Sequence, residues 1–385
     1  MRVTVAIDSL KGSLTSLRAG EAARRGVLAA CPEAEVSVFP LADGGEGTVR
    51  ALTAEGGRRI TATVGGPLGK AVTAEYGILA DGTAVIEMAA AAGLPLLAPE
   101  ERDPTRTTTF GVGELIADAL DRGCRRLLIG IGGSATNDGG AGMLEALGFR
   151  LLDREGRQIP RGGAALASLS SVDATGALPL LSECEITVAS DVENPLCGER
   201  GASAVFGPQK GASPADVALL DGALSQFARI SAEHLGRDLS EQAGAGAAGG
   251  LGFALIAYLG ARITSGVSLV IERTGLAAAI AASDLVITGE GRLDGQSALG
   301  KAPVGVAREA KKNAVTTLAV GGAVTEEAER LHELGIDALF PILDAPCTLA
   351  EAMDSERAER NIERTVREAV RLYLAAKSSH TANPP

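Results

Sequence analysis

Residues 127–148 read LLIGIGGSATNDGGAGMLEALG, and the order of residue types in that stretch sets the fold. An apolar run of strand length, Leu127 to Ile131, gives way to Gly132-Gly133 and then to Ser134, Thr136, Asn137 and Asp138. A second glycine pair, Gly139-Gly140, precedes Met143, Leu144 and Leu147, which share one face at helical spacing. A buried strand, a loop stripped of side chains and a helix make half of a βαβ unit. Open α/β sheets bind ligands at the carboxyl ends of their strands, where this loop lies. Glycines there admit an anion to backbone N–H groups, and the N-terminus of the next helix favours negative charge. Asp138 has the wrong charge to hold phosphate directly unless a metal ion lies between them. A turn that the sheet alone requires is the plainer reading of one such loop; its recurrence along the chain favours ligand binding.

Upstream, Val3 to Ile7 is a short strand ending in Asp8-Ser9-Leu10-Lys11-Gly12-Ser13, with Ser13 placed to cap a following helix. Asp8 and Lys11 sit where α/β enzymes put polar ligand contacts, and they read equally well as a solvated ion pair. Val36 to Phe39 is a second strand, closed by Asp43-Gly44-Gly45-Glu46 before another helix. Asp43 and Glu46 are oxygen ligands suited to a divalent cation, although Glu46 also suits a helix start. Between Arg59 and Met88 three strand-like runs alternate with turn signals, Asp81-Gly82 being a hairpin signal. Antiparallel strands that interrupt a βα series predict the start of an inserted domain.

Downstream, Ile186 to Ala189 predicts a strand that ends in Ser190-Asp191-Val192-Glu193-Asn194-Pro195. Asp191 and Asn194 there can bind magnesium or orient a hydroxyl, or simply make an Asx-type turn before proline. Lys210 follows in a turn before a long helix from Pro214 to Leu235. The run Gly244 to Gly249 fits G-x-G-x-x-G but lacks the preceding strand that a dinucleotide site requires, leaving a loop that could clamp a ligand. Asp284 to Thr288 predicts a buried strand ending in Gly289-Glu290-Gly291-Arg292-Leu293-Asp294. Next comes Gly295-x-x-x-x-Gly300-Lys301 with alanine where a P-loop has Ser or Thr, so it reads as a phosphate loop that only resembles the P-loop, with Lys301 as a charge contact. Two more strands, 316–320 and 338–341, flank a predicted helix over 325–334. A last helix runs from 350 to about 376, followed by a disordered tail over 378–385.

The chain is therefore read as α/β with two domains. Residues 1–60 and 284–385 form a Rossmann-like parallel-sheet domain, and residues 61–283 form a mixed α/β domain inserted into it, with an active-site cleft between the two. The 385 residues exceed what one hydrophobic core usually serves. Net charge of −12 disfavours nucleic acid and anionic membranes as partners, since both select basic patches. Five scattered cysteines without a CxxC pair read as reduced cytosolic thiols, and three histidines far from the loops argue against histidine catalysis. No signal-peptide pattern or bilayer-spanning run is present, so a cytoplasmic protein is expected.

Taken together, the loops resemble the bacterial glycerate kinase family. The likeness rests on DSLKGS at 8–13, LADGGEGT at 41–48, GIGGSATNDGGAGM at 130–143 and SDVENPL at 190–196. It continues through FGPQKGA at 206–212, GAAGGLG at 246–252 and TGEGRLDGQSALGK at 288–301. Leu10 and Gln296-Ser297 depart mildly from the family pattern. The resemblance implies ATP- and Mg2+-dependent phosphorylation of D-glycerate, most often on the 2-hydroxyl, and is compatible with a homodimer. Glycerate 3-kinase activity or another small hydroxy acid as substrate are the alternatives. A dinucleotide oxidoreductase would need G-x-G-x-x-G directly after a strand. A binding module without turnover sits poorly with so many acids at strand ends.

Within that expectation Asp191 orients or deprotonates the glycerate hydroxyl, with Asp8, Lys11 and Asn194 beside it as catalytic candidates. Asp43, Asp294 and Asp138 are the candidate magnesium ligands. The candidate ATP contacts are Gly44, Gly45, Gly132, Gly133, Ser134, Gly139, Gly140, Lys210, Glu290, Arg292 and Lys301.

Overall fold

Residues Val3 to Ile7 are buried throughout their strand, the pattern of a parallel strand covered on both faces. The computed structural model describes residues 1–382 apart from Asp43, Glu55 and Gly300. In chain order its strands are β1 (Arg2–Ile7), β2 (Glu35–Val38), β3 (Arg58–Gly65), β4 (Ala71–Ile78) and β5 (Ala84–Glu87). Then follow β6 (Arg126–Gly130), β7 (Arg150–Leu152), β8 (Ser171–Asp173), β9 (Glu185–Ala189) and β10 (Arg262–Thr264). The series ends with β11 (Leu285–Leu293), β12 (Thr316–Val324) and β13 (Ala338–Pro341).

The chain divides into two units, Met1–Asp43 with Val267–Pro385, and Gly44–Gly266. These bounds differ from the expected 60 and 283. The helix Thr48–Thr53 belongs with β4 and β5, because the backbone N–H of Val49 donates to Glu87 at 2.7 Å and Gly77 leaves room for Thr53. The helix Gly266–Arg273 belongs with the first unit, where Val267 packs against Gly305.

The first unit holds a five-stranded, wholly parallel sheet in the order β13-β12-β11-β1-β2. On one face the helices Ser16–Ala30 and Ser355–Ala382 contribute Ala19, Val27, Ile362 and Val366 to a core with Val5, Ile287 and Val320. Ala319 alternates to the other face and packs with Val304 and Ala307 of the helix Ala302–Lys312. Strand order reverses between β1 and β11, which makes their carboxyl ends a topological switch point.

The second unit has a six-stranded mixed sheet, β10-β9-β6-β5-β4-β3, of which β5, β6, β9 and β10 are parallel and β3 and β4 antiparallel to their neighbours. A separate β7-β8 ribbon completes it. Among the described residues no helix is long and apolar enough to cross a membrane.

Several elements differ from expectation. Thr15, and not Ser13, caps the first helix, because Leu10 and Leu14 pair through mutual backbone hydrogen bonds and hold residues 10–14 in a turn. Residues 326–331 form a short 3-10 turn where an α-helix over 325–334 was expected. β11 runs past Thr288 to Leu293, since Glu290, Arg292 and Leu293 stay in register with β12. The last helix is split into Leu349–Ala352 and Ser355–Ala382 and reaches beyond 378, where a disordered tail was expected.

Candidate functional site

At the switch point of the first unit lies a cavity of about 500 Å3, lined by Asp8, Ser9, Lys11 and Ser13 after β1 and by Glu290, Arg292 and Asp294 on and after β11. Lys301 joins them at the N-cap of the helix Ala302–Lys312, where the helix dipole adds to its charge. Asp8 is nearly buried; its carboxylate accepts from the backbone N–H of Ser9 at 2.7 Å, and its own N–H donates to Gly289 at 2.8 Å. The turn behind it is closed by the Leu10–Leu14 pair, and Ser355 Oγ donates to the carbonyl of Ser13 at 2.6 Å. The buried Ser13 Oγ has no hydrogen-bond partner among the described residues. Lys301 Nζ stands 3.7 Å from Glu290 Oε2, and Arg292 Nε stands 3.2 Å from Asp294 Oδ2. The cavity thus brings together six of the charged candidates: three cations and three carboxylates.

Magnesium keeps several waters and takes one or two carboxylates plus substrate phosphates. Asp294 and Glu290, partly or nearly buried on this wall, are a pair of that kind. No cluster of three or more His, Cys, Asp or Glu side chains suited to a metal occurs among the described residues. The expected ligand Asp43 lies outside the described residues, as does Gly300 of the P-loop-like run. Sequence reasoning missed the apolar part of this cavity, supplied by Ile342, Leu343, Leu349, Ala352 and Met353. The signal was there in Thr348 and Glu351, which form a capping box and start a helix of their own.

In the second unit the loop after β6 does something other than expected. Asp138 is wholly buried; Oδ2 accepts from the Thr109 N–H at 2.8 Å, Thr109 Oγ1 at 2.9 Å and the Gly142 N–H at 3.2 Å, and Oδ1 accepts from the Gly140 N–H at 3.1 Å. Burial raises its pKa despite these donors. The magnesium role is therefore replaced by a structural one: a carboxylate that ties its own loop to the turn at Thr109. Lys210, read as an ATP contact, is also buried, and its Nζ donates to the Thr136 carbonyl at 2.6 Å. Burial lowers its pKa from 10.5 to about 7.

The glycines divide in the same way. Gly133 is exposed, whereas Gly132 is half-buried and its N–H donates to the Gly44 carbonyl at 3.2 Å. Gly139 and Gly140 are buried, and a Cβ on Gly139 would lie 2.8 Å from Phe227. Gly139 also has φ +64°, so Gly139→Ala combines a left-handed strain with a core clash and is expected to cost roughly 2–4 kcal/mol. Urea denaturation of the variant measures it. Gly44 and Gly45 are buried too, their backbones against Gly130, Gly132 and Ala189, so they let strand ends approach and do not cradle phosphate. Ser134 is buried, forming an isolated bridge with Gly93.

Asp191 and Asn194 follow β9 and are half-buried. Asn194 Nδ2 donates to the Arg200 carbonyl at 2.8 Å, which closes the loop between them. The run 244–249 is packed on these loops, Gly246 against Pro195 and Gly249 against Thr136, and forms no dinucleotide site.

The family model for the glycerate kinase family matches residues 3–374. The chain belongs to the glycerate kinase family. A glycerate kinase of Bacillus subtilis is 47% identical over 380 residues, covering 98% of this chain and 99% of that one. A glycerate 2-kinase of Escherichia coli is 48% identical, covering 95% and 98%. A crystal structure of a candidate glycerate kinase 2 from Salmonella typhimurium LT2 superposes with a TM-score of 0.84 at 46% identity, covering 98% of this chain and 99% of that one. As a member of the glycerate kinase family the protein is an α/β kinase, in keeping with a site rich in Asp, Lys and Arg and free of histidine.

Proposed function

We propose that the protein transfers the γ-phosphoryl group of ATP to the 2-hydroxyl of D-glycerate, giving 2-phosphoglycerate and ADP. The observation that carries this reading is the switch-point cavity of the first unit, where Lys11, Arg292 and Lys301 stand beside Asp8, Glu290 and Asp294 in a chain of the glycerate kinase family. The relative named glycerate 2-kinase supports the choice of hydroxyl.

Phosphoryl transfer is mainly positioning and charge neutralisation. Lys11, Arg292 and Lys301 hold phosphate oxygens, and the partnerless Ser13 hydroxyl donates to one of them. Asp294 and Glu290 are the residues that would hold magnesium, which would supply neutralisation of phosphate charge. Asp191 accepts the hydrogen bond of the glycerate hydroxyl and takes its proton. Gly133 is exposed in the loop that follows β6, the parallel neighbour of β9.

Incubation with magnesium, ATP and D-glycerate, followed by phosphorus NMR, is expected to give the 2-phosphoglycerate resonance, and removal of divalent cations with EDTA is expected to abolish it. A 3-phosphoglycerate resonance would move the reaction to the other hydroxyl. Absence of any product from glycerate would refute the reading.

A further inference from the structure

Large apolar side chains are seldom left in water next to a charged site. Leu343, Leu349 and Met353 are 37%, 75% and 37% exposed, and all three line the same cavity as Lys11, Arg292 and Lys301. Ile342 and Ala352 continue the surface, so the segment 342–353 presents to the cavity only side chains without a hydrogen-bonding group. Its position is determined rather than incidental. The capping box of Thr348 and Glu351 sets the short helix Leu349–Ala352, and a Cβ built on Gly12 would lie 2.6 Å from Met353 Cε. Gly12 itself has φ +78°, so the turn that carries Lys11 is shaped to receive Met353.

A site with a cationic wall and an apolar shelf takes a ligand with an anionic end and an apolar end. D-glycerate has no apolar part and would leave the three side chains in water. A nucleotide has both, and about 500 Å3 lies within the range of cofactor sites. We propose that the shelf formed by Leu343, Leu349 and Met353 is the slot for the nucleotide base, with the phosphates directed to Lys11, Arg292 and Lys301. This rests on the kinase reading above and adds where the nucleotide lies and which residues hold its base.

The test uses the full-length protein and two variants, Leu349→Ser at the most exposed of the three positions and Leu343→Ser, each first checked for a wild-type thermal melting transition. Affinity for ADP and for inorganic pyrophosphate, each with magnesium, is measured by calorimetry, and the KM values for ATP and D-glycerate are measured alongside. Loss of this apolar area is expected to weaken ADP roughly tenfold for Leu349→Ser and to raise the KM for ATP correspondingly. Pyrophosphate affinity and the KM for D-glycerate should stay unchanged, because neither ligand has a base. ADP affinity within about twofold of wild type in both variants would overturn the base slot and leave the kinase reading standing. Equal weakening of ADP and pyrophosphate, or a raised KM for D-glycerate alone, would also overturn it. Wild-type protein that binds neither ADP nor pyrophosphate would overturn both readings together.

Discussion

Asp191→Asn is expected to lower kcat by about 10²–10⁴-fold, the range that a positioned general base contributes, while ADP still binds with wild-type affinity. The substitution keeps the shape of the side chain and removes its charge and basicity. Asp191 is held at a rigid place. Ala189 of β9 pairs with Gly130 and Thr264 on either side, the N–H of Ser190 donates to Thr264 at 3.0 Å, and the N–H of Val192 donates to Ser190 Oγ at 3.3 Å. An asparagine there can still orient the glycerate hydroxyl but cannot take its proton. Steady-state kinetics at saturating ATP, with ADP calorimetry on the same preparation, checks both halves. Turnover within about tenfold of wild type would remove Asp191 from the base role.

The second large effect is on stability. Lys210→Met is expected to destabilise the protein by about 2–4 kcal/mol, because it leaves the buried Thr136 carbonyl unpaired next to a buried Asp138. Lys210 also predicts a pH dependence. Its pKa falls on folding from 10.5 to about 7, so between those values the unfolded chain binds the proton and the folded chain does not. Stability from this group therefore rises with pH across that window and is lost as pH falls towards 7. Urea denaturation at pH 7.5 and 9.5 should show wild type gaining relative to Lys210→Met at the higher pH. A constant difference would mean that Lys210 titrates at its ordinary value in the fold.

Much of the architecture was legible because buried parallel strands are written as runs of Val, Ile and Leu closed by Gly, Asp and Ser. β4, β13 and the helix Pro214–Leu235 fall where the residues put them. The loops after β1 and β11 were recognisable as polar strand ends, and the structure brings Asp8, Lys11, Glu290, Arg292, Asp294 and Lys301 to one cavity. What composition could not separate was the purpose of a glycine. A glycine that admits a phosphate and one that admits Phe227 or the backbone of Gly130 are the same letter in the same kind of loop. Only the packing of residues distant in the chain turned Gly139, Gly140, Gly44 and Gly45 into contacts of the core.

Charge was ambiguous for the same reason. Asp138 and Lys210 look like ligand contacts in sequence, yet burial and the donors and acceptors brought to them, Thr109 to the one and the Thr136 carbonyl to the other, give both structural work. The apolar shelf at 342–353 was hidden in the opposite way. Nothing in the local residue pattern marks Leu343, Leu349 and Met353 as a surface, and their exposure beside three cations exists only once the short helix Leu349–Ala352 is placed against the Lys11 turn. By itself the sequence determined the alternation of strands and helices, the chemistry at the strand ends and the family. The tertiary structure decided which of those groups meet solvent, because burial depends on partners that local residue patterns do not name.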